Sequence, residues 1–137
     1  MSFDPLAAGD SPMNDRTFKN YRDLIAWQKA MDLATIAYQV SKKLPRDELY
    51  GLTSQIRRAV VSIPSNIAEG HARRSTKEFL HYLSVALGSL AESETQFLLS
   101  VRLEYLTDAD IADFIELGSE VGRIINGLIN SLSQSND

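Results

Sequence analysis

Residues 48–70 read ELYGLTSQIRRAVVSIPSNIAEG, and this stretch decides the fold. Its apolar positions Leu49, Leu52, Ile56, Ala59/Val60, Ile63 and Ile67 recur every three or four residues, the period of one face of an α-helix. The spacing predicts a helix over Glu48–Glu69. Pro64 lies inside it. A proline removes a backbone donor and crowds the preceding turn, so a kink or break is expected near Val60–Pro64. Gly70 is placed as a left-handed C-cap.

The same period extends to both sides. Upstream, Leu24, Trp27, Met31, Ala34 and Tyr38 mark a first helix that Pro45 stops. Downstream, Ser75-Thr76-Lys77-Glu78 has capping-box form and starts a third helix. Its core positions are Phe79, Leu83, Ala86/Leu87, Leu90, Phe97 and Val101, and it ends near Tyr105. Thr107 caps a fourth, with Asp108 and Asp110 in its first turn. That helix carries Ile111, Phe114/Ile115, Gly118, Val121, Ile125, Leu128 and Leu132 on one face. No segment alternates with period two. Four long helices with short loops predict an all-α, up-down-up-down four-helix bundle. The domain reading is a disordered N-terminal arm over 1–20, the bundle over 21–133 and a disordered tail over 134–137.

At 137 residues the chain is long enough to bury one core. It has no cysteine, which excludes a disulfide scaffold, a thiolate zinc site and a cysteine nucleophile. No apolar run approaches the roughly 20 residues that span a bilayer. Met1-Ser2-Phe3-Asp4-Pro5 has no basic stretch followed by an apolar one, so a cytoplasmic location without membrane contact is expected.

The net charge of −4 hides an uneven distribution. Residues 42–77 carry eight basic and three acidic side chains, whereas residues 78–137 carry two basic and ten acidic ones. In an up-down bundle Lys42, Lys43 and Arg46 fall near the acidic start of the fourth helix, where pairing is expected. Arg73, Arg74 and Lys77 fall at the other end. Cations at a helix N-terminus oppose its dipole, so local stability does not call for them there. Phosphate contact does.

Catalytic chemistry finds little support. Glu78-x-x-His81 has the spacing of a di-iron helix, but the second copy that such a site needs is absent. No glycine-rich phosphate loop and no nucleophilic triad is visible. No catalytic residue, metal or cofactor is expected. Glu94 falls in the middle of the third helix's apolar face and calls for a partner, with Arg57 the candidate.

Two helices have apolar residues to spare. Ile25, Leu33, Ile36, Val40 and Leu44 form a second stripe on the first helix, and Val85, Leu99 and Leu103 one on the third. A helix apolar on two sides needs two partners. The stripe on the first helix is therefore assigned to an interface between copies; the alternatives are a central first helix or cover by the arm. Ser84, Gly88 and Ala91 on the third helix, and Gly118 and Gly122 on the fourth, leave room for close helix approach.

The stretch from Tyr50 to Gly70 resembles the 23S rRNA intervening-sequence proteins, also called the four-helix-bundle protein family. The first helix, at Leu24-Ile25-Ala26-Trp27-Gln28-Lys29-Ala30, and the third, at Ala86-Leu87-Gly88-Ser89-Leu90-Ala91-Glu92, resemble it too. The resemblance covers roughly residues 21–132. It implies a bacterial, cytoplasmic homopentamer with no enzymatic activity. Some members are encoded inside sequences that interrupt ribosomal RNA genes. A related branch, the accessory variability protein of diversity-generating retroelements, binds nucleic acid and a reverse transcriptase. The family pattern marks Arg57, Arg58, Ser62, Pro64, Asn66, Glu69, Gly70 and Arg73 here. The expected function is therefore a non-enzymatic homo-oligomer that binds RNA or DNA through Arg57, Arg58, Arg73, Arg74 and Lys77, with Glu94, Pro64, Asn66, Glu69 and Gly70 in structural roles. The alternative is a protein-interaction scaffold.

Overall fold

The computed structural model describes residues 20–136; the expected arm over 1–20 therefore lies almost wholly outside the described residues. Four helices follow one another: α1 (Ile25–Ser41), α2 (Leu52–Ala72), α3 (Thr76–Arg102) and α4 (Asp108–Asn136). Each packs on its neighbour in sequence, and α4 closes the ring against α1. This is the expected four-helix bundle. No strand occurs among the described residues.

Local chemistry sets the helix ends. The Ser75 hydroxyl accepts from Glu78 N–H at 3.0 Å and caps α3. Thr107 and Asp110 cap α4 reciprocally: Asp110 N–H donates to Thr107 Oγ1 at 3.1 Å and Thr107 N–H to Asp110 Oδ2 at 2.9 Å. At α2, Gly51 has no side chain to offer, and Glu48 Oε1 accepts from Leu52 N–H at 3.0 Å instead. Between α3 and α4, Glu104 adopts a left-handed backbone with φ 66°. The α4 helix reaches Asn136, so the tail drawn at 134–137 is helical up to that residue.

Pro64 does not break α2, which runs on for two turns beyond it. The ring is buried, so packing offsets the donor lost to Val60 O. Gly70 is not a left-handed cap. It is a buried residue of α2, where a Cβ would come within 2.7 Å of Tyr82 Cβ and 2.9 Å of Phe79 Cδ1. It is needed for close approach of α2 and α3, not for a turn.

The inward face of α1 also differs from expectation. Ala26, Ala30, Leu33, Ala37 and Ser41 are buried, while Met31 and Tyr38 are exposed and Trp27 is half-buried. Leu33 and Leu44, assigned to an interface between copies, are core residues of the chain itself. Ile36 and Val40 are half-buried against that core, and of the assigned stripe Ile25 alone is largely open. The period finds both stripes but does not rank them. Small residues win the inner face because they let helix axes approach closely.

On α3 the buried row includes Ser89, Ser93, Gln96 and Ser100. Hydroxyls and amides line its seam with α2. Ser89 Oγ donates to Ser62 Oγ at 2.8 Å, Asn66 Nδ2 donates to Ser62 Oγ at 2.8 Å, and Gln96 Nε2 reaches Gln55 Oε1 at 3.3 Å. Glu94 stands beside this row, half-buried, and forms no ion pair with Arg57. The larger residues Leu90 and Phe97 suggested a face centred on Glu94; the serines rotate that face away from it. Beneath the seam Phe97 and Phe114 are fully buried with centroids 4.6 Å apart.

Candidate nucleic-acid interface

The basic segment divides between the bundle's two ends and its side. At one end Lys43 Nζ pairs with Asp110 Oδ1 at 2.8 Å; Lys42 and Arg46, expected to pair there too, have no carboxylate within 4 Å among the described residues. The Lys43 hydrogen bond holds the Asp110 carboxyl down to about 2, helped by the Thr107 amide. Tyr105 Oη donates to Glu48 Oε2 at 3.0 Å across the same end, and that bond raises the phenol's pKa.

At the other end Arg73 is fully engaged. Its Nη2 donates to Glu69 Oε2 at 2.9 Å and to Tyr82 Oη at 2.7 Å, and its guanidinium lies 5.0 Å from the Tyr82 ring centre. Glu78 Oε1 lies 4.0 Å from Nη1. The hydrogen bond to Glu69 is the main reason its pKa is raised. Arg73 is thus a clasp between the end of α2 and the start of α3. Arg74 and Lys77 beside it are exposed, with no carboxylate within 4 Å among the described residues.

Arg57 and Arg58 lie elsewhere. Fifteen helical steps separate Arg58 from Arg73, about 22 Å at 1.5 Å each. The five cations predicted as one site therefore form two clusters. Arg57 Nε donates to Ser41 Oγ at 3.0 Å, and its guanidinium sits 4.9 Å from the Tyr38 ring centre. This contact replaces the expected partnership with Glu94. Arg58 is exposed.

Both arginines line a trough between α1 and α2. It consists of two adjoining hollows of about 510 and 660 Å³ that share Tyr38 and Val61. Tyr21, Trp27 and Met31 line one end, with Pro64 on the α2 side; Leu49 and Tyr50 line the other. No lining residue is acidic. Tyr50 is 93% exposed. Sequence reading misses Tyr38 and Tyr50: helical spacing puts the first on the core stripe, and the second stands between periodic positions.

A second exposed face runs along α3, where Val85, Leu98, Leu99 and Leu103 are all open to solvent. Ser84, Gly88 and Ala91 lie on the outside too, and a Cβ on Gly88 would meet nothing within 4 Å. No helix of the chain itself packs at Gly88. Gly118 and Gly122 do admit one: Cβ atoms there would lie 3.5 and 3.3 Å from the Leu90 methyl groups.

Among the described residues no group of three or more acidic or histidine side chains is placed to hold a metal, and no helix is long and apolar enough to cross a membrane. The architecture is that of an all-α bundle with an arginine- and tyrosine-lined side and an aliphatic outer helix. The profile of the 23S rRNA-intervening sequence proteins matches residues 22–127. The chain belongs to that family, which is not a known enzyme family. A comparison with curated proteins finds no match.

Proposed function

We propose that this protein is a non-enzymatic homo-oligomer, a pentamer as in the family resemblance, that binds RNA or DNA through its basic segment. One observation carries the nucleic-acid reading. Of the eight cations in residues 42–77, only Lys43 and Arg73 have a carboxylate within 4 Å among the described residues. Lys42, Arg46, Arg57, Arg58, Arg74 and Lys77 are left unneutralised in a chain whose net charge is −4. These six side chains are left available to phosphate oxygens. The nucleic-acid binding of the retroelement accessory proteins, a related branch of the family that the chain resembles, supports the same reading.

Self-association rests on the outer face of α3. Large aliphatic side chains exposed along one helix, Val85 near the open Gly88 and Leu98, Leu99 and Leu103 towards its C-terminal end, suit packing against a second copy. Repetition around a ring multiplies a weak basic patch through avidity.

The test is titration with oligonucleotides at several salt concentrations. Affinity is expected to fall as salt rises. Replacing Arg58, Arg74 and Lys77 together with alanine is expected to weaken it and flatten the salt dependence. Absence of binding by the wild-type assembly at low salt refutes the function and leaves a protein scaffold. Sedimentation equilibrium tests the assembly, and a monomer at micromolar concentration refutes it.

A further inference from the structure

The trough and the end patch are chemically different sites. Arg74 and Lys77 offer charge alone. The trough offers charge beside aromatic faces, without a carboxylate in its lining. We propose that the α1–α2 trough binds a single-stranded nucleic acid, with bases stacked on Tyr50 and Tyr38 and phosphates held by Arg57 and Arg58. This rests on the nucleic-acid reading above and specifies its ligand and its site.

Three features support it. Tyr50 is 93% exposed, so its ring does nothing for the core; it flanks the hollow that Arg57 and Arg58 also line. Arg57 is already oriented: its Nε is tied to Ser41 Oγ and its plane is held near the Tyr38 ring, which leaves its terminal nitrogens to donate outward. The exclusion of acidic residues from the lining matches a polyanion. A peptide or a second copy would find apolar contact there too, but would gain nothing from that exclusion.

The aromatic rings select single strands. A base pair in a duplex is stacked on both faces, so a ring in a hollow between helices reaches a base face only where the strand is unpaired. Such stacking tolerates any sequence, because every base has a π face. From Trp27 to Tyr38 the trough extends about 17 Å along α1, at 1.5 Å per residue. It therefore takes a short run of nucleotides per subunit.

The experiment measures fluorescence anisotropy of labelled oligo-uridylate, oligo-thymidylate and a mixed-sequence duplex, each about 12 nucleotides long, the scale of ordinary single-strand sites. The full chain is used in its native assembly state. Wild-type protein is expected to prefer either single strand over the duplex. Tyr50→Ala is expected to weaken single-strand binding about 5- to 100-fold, leave duplex binding unchanged and so abolish the preference. Tyr50→Phe keeps the stacking face and is expected to restore it. Arg58→Ala is expected to reduce the single-strand salt slope by about 0.7. Arg74→Ala with Lys77→Ala is expected to weaken both ligands alike. A wild-type protein that binds without preference, or a preference that survives Tyr50→Ala, overturns the inference while the broader function stands. No binding to any of the three removes the broader function itself. Sedimentation velocity on Tyr50→Ala is expected to show the wild-type assembly; dissociation would assign the trough to a second copy and overturn the inference.

Discussion

The α1–α2 trough and the outer face of α3 both hold large apolar side chains in water, yet they are built from different residues. The trough has rings, guanidiniums and hydroxyls. The α3 face has a valine beside an open glycine and leucines further along the helix. Aromatic rings beside arginine suit a flat, charged ligand, whereas aliphatic side chains beside small residues suit another helix. Exposed hydrophobic area alone does not separate the two; the chemistry at its margins does. Binding in the trough is expected to weaken with salt, while association through α3 is expected to be nearly insensitive to it.

The sharpest test of the α3 face sets two residues two positions apart against each other. Phe97 is fully buried and Leu99 is 43% exposed. Phe97→Ala is expected to destabilise the fold by about 3–5 kcal/mol. Leu99→Ala is expected to change the chain's own stability by less than about 0.5 kcal/mol and to weaken assembly. Denaturant unfolding and sedimentation, run on both variants, separate the effects. If Leu99→Ala leaves assembly intact, the face loses its assignment.

Gly70→Ala comes next. Its new methyl meets Tyr82 and Phe79, and overpacking of this kind is expected to cost about 1–3 kcal/mol. The lesion lies at the α2–α3 junction, so chemical denaturation should register it while Tyr50-dependent binding persists in the folded fraction. Glu104→Gly acts in the opposite sense. Relief of the left-handed backbone at φ 66° is expected to stabilise the chain by about 0.5–1 kcal/mol, seen as a higher Tm with both faces unchanged.

The smallest effect concerns Asp110. Its folded pKa of about 2 lies below the ordinary 3.8. Its contribution to stability is therefore complete above pH 4 and disappears as pH falls through 2. Asp110→Asn is expected to narrow the stability difference between pH 5 and pH 2, measured by urea unfolding. The basic trough should keep its salt response in this variant, because Asp110 does not line it.

The four helices and the bundle were legible because the apolar period repeats over every helix; the ends of α2 were not, since the stretch expected over Glu48–Glu69 is helical over Leu52–Ala72. The orientation of α1 was not. Its two stripes have the same period, and the decision between them rests on axis separation, which favours the inner row of Ala26, Ala30 and Ala37. Glu94 misled for a related reason: the buried row of α3 is made of serines, which hydropathy patterns treat as surface. Of the basic site residues, Arg58, Arg74 and Lys77 could be read as free. The Arg73 clasp could not, because it depends on Tyr82, nine residues away. The trough was hidden because Tyr38, Tyr50 and Arg57 belong to separate elements.

The hydrogen-bonded seam of Ser62 with Ser89 and Gln55 with Gln96 acts as a vernier. Purely apolar helix faces hold no such bonds, but a one-turn shift of about 5.4 Å would take the buried Ser89 hydroxyl and Gln96 amide away from these partners. Helix α2 carries one wall of the trough and α3 carries the aliphatic face, so the seam fixes their offset. In an assembly joined through α3, that offset sets the phase between neighbouring troughs, and hence the length of strand needed to pass from one copy to the next.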